Sequence, residues 1–169
     1  ATGSMEVRGK KLGIIGYGHI GQQVGILAES IGMDVYFYDV VKKLPLGRSK
    51  QTDTLEALLS KVDFVSLHVP GNAKTKNMIA EAQFKLMKQG SCLINLSRGN
   101  VVQIEDLVQA LKEKHLAGAG LDVFPEEPIG AIDQFSSILV GLENVILTPH
   151  IGGSTEEAQK NIGIEVAYS

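Results

Sequence analysis

Residues 16–21 read Gly16-Tyr17-Gly18-His19-Ile20-Gly21, a G-x-G-x-x-G pattern, and this stretch decides the fold. It directly follows an apolar run at residues 12–15 and leads into a segment with helical periodicity. In such a strand–turn–helix unit the first glycine permits the tight turn, the second lets the backbone approach a pyrophosphate, and the third lets helix and strand pack closely. The helix N-terminus then presents unpaired N–H groups to phosphate oxygens. The pattern therefore predicts a dinucleotide-binding turn.

An acidic residue follows this turn at the spacing that a dinucleotide site needs. A second apolar run, residues 35–38, leads to Asp39, eighteen residues after Gly21. A carboxylate in that place accepts hydrogen bonds from the adenosine ribose hydroxyls and repels the 2′-phosphate of NADP. We therefore expect the cofactor to be NAD rather than NADP, a preference that Lys42 and Lys43 nearby would soften.

Short apolar runs recur along the chain and alternate with helix-period segments. The predicted strands are residues 12–15, 35–38, 64–68, 93–95, 120–123 and 145–147. They are continuous rather than alternating in polarity, which is typical of parallel strands that are covered on both faces. The repeated βαβ order predicts an α/β fold with a doubly wound parallel sheet, that is, a Rossmann-type NAD-binding domain.

Apolar stripes and capping signals mark the predicted helices. The two stripes are Ile20, Val24, Leu27 and Ile31, closed by Gly32, and Ile104, Leu107, Val108 and Leu111. Asp53 with Glu56, and Ser154 with Glu157, have the spacing of capping boxes at helix starts. Between residues 124 and 143 no strand is expected. That segment is either functional or a surface excursion with a short helix near residues 134–139.

Composition excludes several classes of protein. The 169 residues carry 16 basic and 19 acidic side chains, a formal net charge of −3, so no basic surface for nucleic acid is expected. With 44% hydrophobic residues the chain has enough apolar surface to fold. No apolar run reaches the length of a membrane span, so no membrane partner is expected.

The single cysteine and the first residues bear on compartment and domain limits. Cys92 has no partner for an internal disulfide and no thiolate cluster for zinc, so we expect a cytoplasmic location and no metal site. Residues 1–5 have the character of an expression remnant. The NAD-binding domain would then comprise residues 6–169.

Three further clusters lie near the ends of predicted strands, where open α/β sheets bind their ligands. They are Asn95-Leu96-Ser97-Arg98-Gly99, Leu121-Asp122-Val123-Phe124-Pro125-Glu126-Glu127-Pro128 and Thr148-Pro149-His150-Ile151-Gly152-Gly153-Ser154-Thr155. Hydride transfer to a 2-keto acid needs a planar cation for the substrate carboxylate and an acid–base that works near neutral pH, which arginine and histidine provide. A carboxylate beside the histidine would stabilise the imidazolium.

These motifs, together with Leu67-His68-Val69-Pro70, occur in the order found in the NAD-dependent D-2-hydroxyacid dehydrogenases. From about Val7 to its end, the chain resembles the nucleotide-binding domain of that family. The resemblance implies that Arg98 holds the substrate carboxylate, that His150 is the catalytic acid–base, and that Glu127 pairs with His150. It also implies a set of residues around NAD: Gly16, Gly18, His19, Ile20, Gly21, Asp39, His68, Val69, Pro70, Leu96, Ser97, Asp122, Ile151, Gly152 and Gly153.

Other polar residues have simpler interpretations. We expect His115 to be structural, Glu126 to be a solvated loop charge, and Cys92 to be a buried small hydrophobic residue. Arg98 could instead form a salt bridge, but its position after a strand and beside Gly99 favours the ligand role.

The resemblance implies more than this sequence contains. Enzymes of the family close a second, substrate-positioning domain over the site, and that domain is absent here, so this chain should bind NAD(H) without turning over substrate. The implied partner is a small 2-hydroxy or 2-keto acid, first D-3-phosphoglycerate and otherwise glycerate, glyoxylate or lactate. A homodimer through this domain is also implied. The family's transcriptional co-repressor branch, which senses NAD(H), is an alternative from another class.

Overall fold

A seven-stranded sheet, parallel between every pair of neighbouring strands, organises the computed structural model, which describes residues 5–127 and 135–167. The strands are β1 (Lys11–Ile15), β2 (Asp34–Tyr38), β3 (Lys50–Gln51), β4 (Phe64–Leu67), β5 (Ser91–Asn95), β6 (Leu116–Leu121) and β7 (Val145–Leu147). The helices in the described ranges are α1 (His19–Ser30), α2 (Leu55–Leu59), α3 (Glu81–Leu86), α4 (Ile104–Lys112) and α5 (Glu156–Ala167), with a short 3₁₀ helix at Gly99–Val101.

The order of the strands creates a crevice at the middle of the sheet. Across the sheet the order is β3-β2-β1-β4-β5-β6-β7, so the chain runs outward from β1 to β3 and resumes on the other side of β1 with β4. In open α/β sheets, ligands bind outside the carboxyl ends of the strands at such a switch point. The predicted doubly wound parallel sheet is confirmed, and Gly16 and His68 directly follow the two strands that flank its switch point.

Alternate residues of the central strands pack against helices on opposite faces of the sheet. Ile14 belongs to a smaller buried cluster that includes Ala28 of α1. Ile15 belongs to a larger buried cluster that includes Leu58 of α2 and Leu107 of α4. This burial on both faces explains why the strands are continuous apolar runs in the sequence.

Helix α1 lies where it is predicted, but of its apolar stripe only Val24 packs against the core. The buried residues of α1 are Gly21, Gly25 and Ala28, whose small side chains let the helix approach the sheet closely. Leu27 is 66% exposed and Ile31 is 57% exposed, because the stripe lies roughly a quarter turn away from the buried side. In contrast, the predicted stripe of α4 is buried along its whole length.

Several strand boundaries differ from the predicted ones. Strand β6 begins at Leu116 and ends at Leu121, whereas the prediction was residues 120–123, because the alanines and glycines at 117–120 carry little strand propensity. Strand β5 begins two residues earlier than predicted, at Ser91, and β4 ends at Leu67, one residue before its predicted end. The two-residue strand β3 was not predicted at all.

The predicted helix caps are displaced by one residue. Thr54, not Asp53, caps α2 by accepting a hydrogen bond from the Ala57 N–H at 3.1 Å. Thr155, not Ser154, accepts from the Ala158 N–H at 3.1 Å before α5.

The long segment between β6 and β7 is described only in part, since residues 128–134 lie outside the described ranges. Residues 135–139 form no helix: residues 135–137 have no regular secondary structure, and a turn follows at residues 138–141. Within the described ranges, no helix has both the length and the apolar character required to cross a membrane.

Candidate active site

The glycine-rich turn lies at the carboxyl end of β1, pressed against the end of β4. Gly16 has φ = +92°, and a Cβ there would lie 2.5 Å from the carbonyl oxygen of His68. A Cβ on Gly21 would overlap the carbonyl oxygen of Gly16. Gly18 differs, since a Cβ there would meet no atom within 4 Å. Two of the three glycines are therefore required by packing, while the third leaves open space above the turn for a ligand.

The start of α1 has the electrostatic character of an anion site. No side chain caps α1 and its first turn contains no acidic residue. The four other described helices each carry at least one acidic residue in the first turn. A negative charge at a helix N-terminus is stabilised by free N–H groups and by the helix dipole. At α1 the first turn is free to take a negative charge from a ligand, so it fits the pyrophosphate of a dinucleotide.

Asp39 directly follows β2 and holds the glycine-rich turn. One carboxylate oxygen accepts a hydrogen bond from the Tyr17 N–H at 2.9 Å, and the other accepts from the Val41 N–H at 2.9 Å. Each carboxylate oxygen can accept a second bond. The side chain can thus hold the turn and bind ribose hydroxyls at the same time, a double role that the sequence did not reveal.

A cleft of about 190 Å³ opens beside the turn. Its lining brings together seven of the predicted site residues, from α1, the end of β4 and the end of β5: Ile20, His68, Val69, Pro70, Leu96, Ser97 and Arg98. Burial lowers the pKa of His68, whose Nε2 lies 2.8 Å from the Oγ of Ser66. His68 therefore contributes a neutral ring to the cleft wall.

The guanidinium of Arg98 is available to a ligand. Its Nη1 donates to the carbonyl oxygen of Ser97 at 2.6 Å. Within residues 5–127 and 135–167, Arg98 forms no ion pair, so the structural alternative of a salt bridge has no support there. Arginine's planar fork suits a carboxylate, and this one lines the cleft.

Direct packing joins the Arg98 turn to the segment that carries Glu127. A Cβ on Gly99 would overlap the carbonyl group of Phe124 and the nitrogen of Pro125. Only glycine therefore allows the chain after β6 to pass this close to the end of β5. Glu127 and Arg98 thus both lie at the edge of the sheet where the carboxyl ends of β5 and β6 meet.

The imidazole of His150 is paired with Glu127. Its Nδ1 lies 2.8 Å from one carboxylate oxygen of Glu127, and the other oxygen accepts from the Phe124 N–H at 3.1 Å. Partial burial alone would raise the pKa of Glu127, but these two hydrogen bonds outweigh it and the pKa is lowered. Because an ionised carboxylate only accepts hydrogen bonds, Nδ1 carries the proton and Nε2 remains to exchange one with a substrate.

The backbone of His150 is held in a strained conformation. His150 has φ = +51°, in the left-handed region that few residues other than glycine adopt. Its N–H donates to Asp122 Oδ1 at 3.0 Å, and the same oxygen accepts from the Thr148 hydroxyl. Such strain persists only when surrounding contacts determine it, and it is concentrated at functional sites. Asp122 thus holds the backbone of His150 in this conformation, while Glu127 contacts the imidazole.

Some predicted site residues lie outside the cleft. His19 is exposed at the start of α1, and Ile151, Gly152 and Gly153 form an exposed turn after His150. None of these four lines the cleft. Sequence reasoning also missed Asn95, a fully buried amide at the end of β5, although its place in a quoted motif was a usable signal.

Three residues that we expect to have structural rather than catalytic roles are His115, Glu126 and Cys92. His115 bonds through Nε2 to the carbonyl oxygens of Phe84 and Met87 at the end of α3, as a structural residue does. Glu126 is exposed. Cys92 is only half-buried, contrary to expectation, because the sheet face it points to is incompletely covered; burial raises the pKa of its thiol. No group of His, Cys, Asp and Glu suited to a metal occurs in the described ranges.

Comparisons with known proteins agree with this geometry. Residues 1–152 match the sequence profile of the D-isomer specific 2-hydroxyacid dehydrogenase NAD binding domain. D-3-phosphoglycerate dehydrogenase of Escherichia coli strain K12 is 64% identical over 167 residues, which cover 99% of this chain and 41% of that protein. D-3-phosphoglycerate dehydrogenase 1 of Saccharomyces cerevisiae is 54% identical over 170 residues, which cover 96% of this chain and 36% of that protein. The chain thus spans about two fifths of the length of these relatives.

A solved structure agrees in fold as well as in sequence. The NAD-complexed form of the D-isomer specific 2-hydroxyacid dehydrogenase from Lactobacillus delbrueckii ssp. bulgaricus superposes with a TM-score of 0.86 at 36% identity, over 94% of this chain and 51% of that chain. The family resemblance and NAD as the cofactor agree with these findings. The chain belongs to the D-isomer specific 2-hydroxyacid dehydrogenase family, as its NAD-binding domain.

Proposed function

We propose that this chain is the NAD-binding domain of a D-3-phosphoglycerate dehydrogenase, which oxidises D-3-phosphoglycerate to 3-phosphohydroxypyruvate in the first step of serine biosynthesis. The observation that carries an oxidoreductase role is the His150–Glu127 pair, at 2.8 Å. Packing at Gly99 joins this pair to the turn of Arg98, whose guanidinium forms no ion pair within the described residues. The identity of 64% to a D-3-phosphoglycerate dehydrogenase supports this choice of substrate.

The residues of this chain divide the chemistry between them. Arg98 binds the substrate carboxylate through its planar fork. Nε2 of His150 takes the proton of the substrate hydroxyl as the carbonyl forms, and the negative charge of Glu127 stabilises the resulting imidazolium. Bound NAD would accept the hydride that leaves the carbon bearing this hydroxyl. In the reverse direction His150 returns the proton to the carbonyl oxygen.

The residues that would hold the cofactor lie around the switch point of the sheet. The turn of Gly16, Gly18 and Gly21 with the N-terminus of α1 would hold the pyrophosphate, and Asp39 would hold the adenosine ribose. The cleft residues around His68 and Ser97 would hold the nicotinamide half. Asp122 and the turn of residues 150–153 would complete the cofactor site.

We also propose that residues 6–169 form one domain that binds NAD(H) but is inactive by itself. The side chains of His150 and Glu127 are 39% and 36% exposed, so water reaches the reacting atoms. A second domain closing over the cleft would exclude that water and position the substrate. The test is to incubate the chain with D-3-phosphoglycerate and NAD. No NADH formation above that of His150→Ala supports the proposal, and activity above that control contradicts it.

Association and location complete the proposal. Helix α1 exposes Ile26, Leu27 and Ile31, an apolar surface that supports a homodimer through this domain. Sedimentation of the chain tests this, and a monomer at micromolar concentration would count against it. The single cysteine supports a cytoplasmic location.

Substrate profiling of a full-length form tests the central proposal. We expect the highest kcat/KM for D-3-phosphoglycerate among this acid, D-glycerate and D-lactate. Replacing Arg98 by alanine should raise the substrate KM on the order of a hundredfold, since a bidentate charged contact is lost. The matched control is Arg48→Ala, at an exposed position before β3 and away from the cleft. Equal KM values for the two variants would refute the role of Arg98.

A further inference from the structure

We propose that Asn95 is a positioning residue of the active site, whose buried carboxamide sets the turn that presents Arg98. The inference rests on the proposed role of Arg98 as the carboxylate ligand. Asn95 is the last residue of β5 and is 0% exposed. It is absent from the lining of the cleft, so it would act on the site through its neighbours Ser97 and Arg98.

The carboxamide closes the turn from both ends. Its Oδ1 accepts from the Ser97 N–H at 3.1 Å and from the Ser97 hydroxyl at 2.9 Å. Its Nδ2 donates to the carbonyl oxygen of Arg98 at 3.0 Å. One side chain thus fixes the backbone on both sides of the peptide that joins Ser97 to Arg98. The fixed carbonyl of Ser97 in turn receives the Nη1 donor of Arg98.

This pattern requires an amide. The turn offers N–H and O–H donors at one side and a carbonyl acceptor at the other, so its partner must both accept and donate. Aspartate, which has the same shape, only accepts when it is ionised, and would set a negative oxygen against the Arg98 carbonyl. A buried polar group left without its partner costs about 1–3 kcal/mol. Because the turn needs a side chain that both accepts and donates hydrogen bonds, substitutions of similar size can distinguish a positioning role of Asn95 from simple packing.

The backbone of Asn95 connects the arginine to the acid–base. Its carbonyl oxygen accepts from the Asp122 N–H at 3.0 Å, and Asp122 Oδ1 accepts from the His150 N–H at 3.0 Å. The end of β5 is thus tied both to the guanidinium that would bind the carboxylate and to the strand end that supports His150. A shift of the Arg98 turn would change the distance between the Arg98 guanidinium and the His150 imidazole. Substrate binding requires that distance to be fixed.

The test uses three variants of a full-length form. Asn95→Asp removes the donor to Arg98, and Asn95→Ser is too short to reach the Arg98 carbonyl while it can still bond Ser97. The control is Ser91→Ala, which removes a buried hydroxyl at the opposite end of β5, where Oγ donates to the Lys88 carbonyl at 2.6 Å. The control loses a comparable buried hydrogen bond but lies far along the strand from the site.

We expect both Asn95 variants to raise the KM for D-3-phosphoglycerate on the order of tenfold, as follows from the loss of one hydrogen bond to a charged or buried group. The KM for NAD should change less than about threefold, and Ser91→Ala should leave the ratio of the two KM values unchanged. Hydrogen exchange supplies a readout apart from activity: amides of residues 96–99 should exchange faster in both Asn95 variants, because the Ser97 turn is loosened.

The outcomes distinguish this inference from the proposed function. An unchanged ratio of KM values in both Asn95 variants, with a raised substrate KM in Arg98→Ala, overturns the role of Asn95 and leaves that of Arg98. An unchanged substrate KM in Arg98→Ala overturns the proposed function itself. A shifted ratio in Ser91→Ala, equal to that of the Asn95 variants, assigns the effect to general destabilisation and also overturns the inference.

Discussion

Asp39 should determine both the tightness and the selectivity of cofactor binding, and Asp39→Asn tests this. In the structure each carboxylate oxygen accepts one backbone N–H at 2.9 Å, from Tyr17 and from Val41. Asparagine keeps one acceptor oxygen and places an NH₂ group against the other N–H. The exposed Val41 N–H regains water at little cost, so asparagine can keep its oxygen on Tyr17, and the turn should remain formed.

The loss in affinity follows from the charge. A hydrogen bond to a charged group is worth about 1.5–3 kcal/mol, which corresponds to roughly 10- to 100-fold in the dissociation constant. We expect NADH to bind Asp39→Asn more weakly by about that factor. NADPH should bind no more weakly than before, because the carboxylate that repels its 2′-phosphate is gone. The ratio of the two dissociation constants should fall accordingly.

The assay is a titration of the chain with NADH and NADPH, followed by nicotinamide fluorescence or calorimetry. Asp34→Asn is the matched control, since Asp34 is exposed at the opposite end of the same strand and far from the glycine-rich turn. It should leave both dissociation constants unchanged. NADPH binding to the native chain as tightly as NADH would refute the reasoning, and so would an Asp39→Asn variant with the native selectivity.

Three other predictions concern stability and pH. The Asp63 carboxylate accepts a hydrogen bond from the Lys88 ammonium at 2.9 Å. Partial burial would raise the pKa of Asp63, but the contacts with Lys88 and the other neighbours outweigh it and lower that pKa. Asp63→Asn should therefore reduce the free energy of unfolding in urea by about 1 kcal/mol at pH 7. The difference should vanish as the pH falls through the lowered folded pKa, and a constant difference down to pH 2 would contradict it. Gly99→Ala should lower the free energy of unfolding by about 1–3 kcal/mol, because the added methyl group would overlap the backbone of Phe124. Gly163→Ala on exposed α5 should not lower it, and equal effects of the two substitutions would contradict the close packing at Gly99. In a full-length form, Glu127→Gln should let oxidation persist to lower pH, because the imidazolium loses its negative neighbour; an unchanged pH–rate profile would exclude Glu127 from the mechanism.

The parts of the site that the sequence predicts are those fixed by local patterns. The glycine spacing after an apolar run and an acid after the next run are sufficient to locate Gly16 and Asp39, because a strand, a tight turn and a helix impose them within a few residues. Arg98 and His150 were located by their positions after strands, and their roles came from the family resemblance. The structure joins them through contacts between residues that are distant in the chain.

The parts that could not be predicted depend on long-range packing. The overlap that a side chain on Gly99 would cause involves Phe124, which follows a different strand, and the bond from Tyr17 to Asp39 joins two loops. Helix α1 also shows that local patterns do not specify packing. Its apolar residues recur with the helical period, but the small residues Gly21, Gly25 and Ala28 form the side that faces the sheet. Periodicity specifies that a helix is amphipathic, whereas packing selects the buried face.

Contacts within the chain fix the direction of the proposed acid–base pair, His150 and Glu127, whereas we expect the strength of their interaction to depend on closure of a second domain. The backbone of His150 is held at φ = +51° by Asp122 and its imidazole is held by Glu127, so contacts within the chain set the direction of this side chain. An ion pair with more than a third of each side chain exposed contributes little in water, because solvent screens its charges. We expect the same pair to become stronger when the proposed second domain excludes water. Glu127→Gln should therefore leave the unfolding midpoint of the isolated chain almost unchanged and yet reduce turnover of a full-length form, and a large loss of stability in the chain would show that Glu127 serves the fold.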